Sequence, residues 1–129
     1  MANTGKTSAQ FKILYGEGNE QILNTQSESM QKAGHQVDKA CNRKLVEALL
    51  RHGSYDLVVL GPTLTRDDRH HLPYMVKKAH PNTRVLVLHA DGGRHPYVDG
   101  NLETGHRLEE LLEKITSMRG ASAAAAAGR

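Results

Sequence analysis

Short apolar runs alternate along the chain with longer stretches in which apolar residues recur every three or four positions. The first kind predicts strands and the second helices. The runs are Phe11 to Tyr15, a weak one over His35 to Ala40 that holds Val37, Leu57 to Leu60, and Val85 to Leu88. Between the first two, Ile22, Leu23, Met30 and Ala33 form the stripe of a helix that Asn19 can cap and Gly34 can end. Asn42 caps a second helix to about His52, with Leu45, Val46, Leu49 and Leu50 at helical spacing. A third runs from about Asp67 to Ala79, with Leu72, Met75, Val76 and Ala79 facing inward and a later start allowed by Pro73. Asp67 and Asp68 are read as capping its first turn. A fourth runs from about His106 to Met118, its core face made by Leu108, Leu111, Leu112 and Ile115.

Strand–helix alternation of this kind specifies a parallel sheet covered on both faces. Right-handed crossovers then favour a doubly wound, flavodoxin-like α/β fold with strand order 2-1-3-4-5. The fifth strand is the weak element. Tyr97-Val98 is its candidate, and seven residues separate Ala90 from Val98. A helical crossover needs about a dozen, so the helix between strands four and five is expected to be missing or shortened.

Composition narrows the picture. The chain has 129 residues, enough for one domain, expected over residues 11–118. Residues 1–10 read as a flexible N-terminus and residues 119–129 as a flexible alanine-rich tail, with Gly120 breaking the last helix. Seventeen Lys and Arg against fourteen Asp and Glu leave a mild, scattered positive balance, which argues against nucleic acid as partner. No apolar run approaches the ~20 residues of a membrane span, and the first ten residues lack a secretory core. A cytoplasmic protein is the expectation. Cys41, the single cysteine, reads as a small half-buried residue.

Strand three ends in "LGPTL", so Gly61 stands where α/β sheets of this order place their chemistry. The pieces "KILYGEGNEQIL", "AGHQVDKA", "HGSYDLVVLGPTL", "PNTRVLVLHADG" and "LEELLEKI" stand in an order and spacing that resembles the receiver domain of bacterial two-component response regulators. The resemblance covers about Phe11 to Met118. It implies a domain that accepts a phosphoryl group on an aspartate after strand three, with Mg²⁺ held by an acidic pair after strand one. Carried over residue by residue, that pattern is degenerate here. The acidic pair becomes Glu17 and Gly18, the acceptor becomes Gly61, and the Ser/Thr after strand four becomes His89. The lysine after strand five has no counterpart, since none occurs between Lys78 and Lys114.

Glycine offers no nucleophile, and one remaining carboxylate makes a poor magnesium site. The expectation is a pseudo-receiver: a non-enzymatic interaction module in two-component-type signalling, without cofactor or metal. Its partner would be a signalling kinase, an effector or a second copy. The altered segment after strand four remodels a surface that the family often uses for contacts. Arg94, His95 and Tyr97 are its candidate anchors.

Eight histidines suggest a different class of function. Glu17, His89 and His95, with Asp91 beside them, could form a metal- or anion-binding site of a flavodoxin-like enzyme. The spacing matches no zinc signature. Histidines that are solvated or hydrogen-bonded, the others at surface-like positions, are the preferred reading.

Overall fold

The computed structural model describes residues 11–88, 97–102 and 108–127, with side chains through Met118. The elements run β1 (Lys12–Gly16), α1 (Glu20–Lys32), β2 (Gln36–Ala40), α2 (Arg43–His52), β3 (Leu57–Leu60), α3 (Arg66–Ala79), β4 (Arg84–Val87), β5 (Gly100–Asn101) and α4 (Leu108–Ala127). Five parallel strands form one sheet in the order β2-β1-β3-β4-β5. This is the flavodoxin-like order expected from the alternation of patterns.

Alternate residues of each strand serve opposite layers, as the two-residue period of a strand requires. Ile13, Tyr15, Leu57, Val59, Leu86 and Leu88 pack under α1 and α4, against Leu23, Met30, Leu111, Ile115 and Met118. Leu14, Val58, Leu60, Val85 and Val87 pack under α2 and α3, against Val46, Leu50, Leu72 and Val76. All four residues of β3 are fully buried. At about 1.5–3 kcal/mol per buried aliphatic side chain, this central strand contributes more to the core than its length suggests.

The helix starts follow from short polar side chains. Asn19 accepts from the amide of Ile22 and Asn42 from that of Leu45, so both asparagines cap as expected. Gly34 ends α1 with a φ of 105°, a left-handed conformation that glycine adopts without strain. The third helix departs from expectation. Its cap is Thr65, whose hydroxyl accepts from the Asp68 amide, while Asp67 and Asp68 lie within the first turn. The helix begins at Arg66, ahead of Pro73, which is buried inside it. Ala79 is exposed, and Pro73 joins Leu72 and Val76 on the inner side instead.

Three further expectations need correction. The fifth strand is Gly100–Asn101, paired with Leu86 and Val87, and Tyr97-Val98 precede it. Twelve residues then lie between Val87 and Gly100, the length a parallel crossover needs. Asp99 fixes this register. Its carboxylate accepts from the Val85 amide at 2.8 Å and from Lys77 Nζ at 2.7 Å, and its own amide donates to the Val85 carbonyl. Secondly, α4 continues through Gly120 to Ala127, because a run of alanines outweighs the cost of one glycine in a helix. Thirdly, Leu45 and Leu108 are substantially exposed, at the margins of their helices' buried stripes. The expected flexible N-terminus (residues 1–10) and the expected loss of a helix between strands four and five (residues 89–96) lie outside the described residues. No helix among the described residues is long and apolar enough to cross a membrane.

Candidate functional site

The carboxyl ends of β1 and β3 lie side by side, with Gly16 in register with Leu60. The Gly61 amide donates to the Gly16 carbonyl at 2.7 Å, so the pairing continues one step beyond the strands. Glu17 and Gly61 are thereby brought together, as the sequence suggested. Their relationship differs from that expectation.

Glu17 is fully buried. Its carboxyl group fills the space beside Gly61: a Cβ built on Gly61 would stand 1.7 Å from Glu17 Oε1 and 2.7 Å from its carboxyl carbon. Gly61 does not have a positive φ, so its backbone is open to other residues. Space, and no torsional demand, calls for glycine at this position.

The carboxyl group is held from two turns. Glu17 Oε2 accepts from the Asn19 amide at 3.1 Å and from the hydroxyl of Thr63. The Asn19 amide also donates to Thr63 Oγ1 at 2.8 Å. Gly18 lies alongside, where a Cβ would meet the Thr63 carbonyl oxygen at 3.0 Å. Arg69, one turn into α3, donates to the carbonyls of Pro62 and Leu64 and braces the β3–α3 turn from its other side. Glu17 Oε1 has no hydrogen-bond partner among the described residues.

Electrostatics follow from this burial. Removal from water pushes the Glu17 carboxyl above its usual range, while hydrogen bonds from the backbone at Asn19 and Thr63 act in the opposite sense. The Tyr15 phenol, two residues back on the same side of β1, is likewise pushed up, first by burial and then by the nearby carboxylate. Its hydroxyl donates to Gln26 Oε1 at 2.7 Å.

The residues present do not fit a magnesium ion. Gly18 and Gly61 contribute no carboxylate, and the one acid is buried with Oε2 already occupied by two donors. No group of three or more metal-ligating side chains occurs among the described residues. His89, Arg94 and His95 lie outside them. Tyr97 is exposed, and its ring meets that of Tyr74 edge-on at 5.6 Å. Lys78 lies over the Tyr74 ring. Tyr74 has no signal in the sequence beyond its place on the outer face of α3.

Other acids serve the fold. Asp56 Oδ2 accepts from the Lys12 amide at the opposite end of the sheet. His35, expected at the surface, is buried under Phe11, and its Nδ1 accepts from the Phe11 amide at 3.0 Å. Thr63 is the residue of the site that sequence reasoning missed. The available signal was its hydroxyl, two positions beyond Gly61 in a proline-fixed turn.

No family model matches the sequence, and no curated protein is similar enough to count as a relative. Solved structures are similar throughout the domain. One is a CheY-like response regulator receiver domain protein from Methanospirillum hungatei, 17% identical with a TM-score of 0.77, covering 86% of this chain and 94% of that one. The receiver domain of Francisella response regulator 1452 is 18% identical with a TM-score of 0.75, covering 87% and 98%. The response regulator TrrA of Thermotoga maritima, in complex with Mg²⁺ and BeF, is 21% identical with a TM-score of 0.72, covering 82% and 96%. The chain has the receiver-domain fold.

Proposed function

We propose that this chain is a pseudo-receiver: a receiver-fold module that is not switched by aspartyl phosphate and acts by binding another protein. One observation carries the reading. The space beside Gly61, where an acceptor side chain would project, is filled by the Glu17 carboxyl group. Glu17 cannot stand in as acceptor itself, because a nucleophile must reach the phosphodonor and this one is sealed from solvent. The absence of lysine between Lys78 and Lys114 removes the cation that receiver domains place near the transferred group.

On this reading the chain is not an enzyme. It belongs to two-component-type signalling, with a kinase, an effector or a second copy as its partner. Tyr97 and Tyr74 offer a rigid aromatic contact area of the kind that anchors protein interfaces. The alternative, a metal- or anion-dependent enzyme using Glu17, His89 and His95, is less well supported. It requires Glu17 to leave its hydrogen bonds and turn toward solvent.

Incubation with a small phosphodonor and Mg²⁺, followed by intact-mass analysis, tests the proposal. No acid-labile phosphoryl increment is expected. Stoichiometric labelling would overturn it.

A further inference from the structure

The Glu17 side chain sits at Gly61 as a bound ligand sits in a site. It is enclosed on all sides, held at one oxygen by an amide and a hydroxyl from two separate turns, and accommodated by a missing side chain opposite. We infer that the carboxyl end of this sheet contains a pocket for a small carboxyl group, which the protein occupies with its own Glu17 as a tethered internal ligand.

Three features define the pocket. The Thr63 hydroxyl donates to Glu17 Oε2, and the Asn19 amide is shared between that oxygen at 3.1 Å and Thr63 Oγ1 at 2.8 Å. Glycine at 61 leaves the room in which the second oxygen, Oε1, lies. The start of α1 adds the partial positive charge of its first amides, which offsets part of the cost of burying a carboxyl group there. The donors come from the β1–α1 and β3–α3 turns, residues 44 apart in sequence, so the occupant also joins these turns. Gly18 lets them approach, because a Cβ there would press on the Thr63 carbonyl. The inference rests on this geometry alone and stands whether or not the domain is phosphorylated.

If the side chain is an internal ligand, an external one should replace it. Glu17→Ala removes the carboxyl group and leaves an empty space faced by the Thr63 hydroxyl and by the Asn19 amide, which keeps Thr63 Oγ1 as its other acceptor. Sodium formate, small enough for that space, should then raise the melting temperature of the variant with the logarithm of its concentration, by about 4 °C or more at roughly ten times its dissociation constant, through binding to the folded state alone. Sodium chloride at equal ionic strength should not. Wild type and Glu17→Gln, whose side chains still fill the pocket, should show no formate effect beyond that of chloride. The combined variant Glu17→Ala/Thr63→Val, lacking the hydroxyl donor, should lose the response.

An unresponsive Glu17→Ala, or equal responses in Glu17→Ala and Glu17→Gln, would overturn the inference. Should Glu17→Ala fail to fold, Glu17→Ser, which also vacates the space beside Gly61, takes its place in the same formate and chloride titrations, and an absent formate response there would equally overturn the inference.

Discussion

Glu17 Oε1 and the α-carbon of Gly61 face each other so closely that a single methyl group at position 61 would overlap the carboxyl group of residue 17. The two positions therefore cannot be varied independently. Gly61→Ala is expected to cost about 1–3 kcal/mol, the usual range for overpacking a filled interior. Glu17→Ala should relieve that clash, so Gly61→Ala/Glu17→Ala should be more stable than the sum of the single effects by about 1 kcal/mol. Urea denaturation of the four proteins measures the coupling.

The raised Glu17 pKa sets the sign of a pH effect. Between the ordinary carboxylate range and the raised native value, the folded protein holds a proton that the unfolded chain releases. The contribution of Glu17 is thus fully present at low pH and declines as pH rises through that window. Glu17→Gln cannot titrate, so the stability difference, wild type minus Glu17→Gln, should fall as pH is raised from about 4 toward neutrality, starting from the ordinary carboxylate value. Denaturation at four or five pH values checks this, and a flat difference would contradict the raised pKa.

Asp99 aligns the two-residue edge strand through one carboxylate oxygen shared by Lys77 Nζ and the Val85 amide. Asp99→Ala should cost about 1–2 kcal/mol, a charged hydrogen-bond value discounted for partial exposure. Asp99→Asn keeps an acceptor for the Val85 amide and should lose less. Exchange rates of the Leu102 amide, which donates to the Val87 carbonyl, report the release of β5 locally.

Gly34→Ala places a Cβ on a residue with φ of 105° and should destabilise the protein by about 1–2 kcal/mol. Thermal denaturation reads this directly. Gly53, whose φ of −149° is ordinary extended backbone, should accept alanine with little change.

Local chemistry made most of the fold readable before any coordinates. Asn19 and Asn42 announce their helices because a capping side chain acts within three residues. Leu57–Leu60 could be placed to the residue because a strand buried on both faces is an unbroken apolar run. The edge strand was misplaced by three residues because Gly100-Asn101 has no strand character, and its position is set by Asp99 from outside it. Glu17 and Gly61 could be named as neighbours from the strand order. Their actual relation depends on side-chain reach: glutamate has one methylene more than aspartate, and that length brings its carboxyl group into the space at 61. No periodicity carries such information.

The overlap between residues 17 and 61 also bears on redesign. Placing aspartate at position 61 with Glu17 unchanged would put two acids into one buried volume, so the Glu17 side chain would have to swing out of it. That movement gives up the hydrogen bonds from the Thr63 hydroxyl and the Asn19 amide. An acceptor aspartate is therefore introduced together with a shorter residue at position 17, and not by a single exchange.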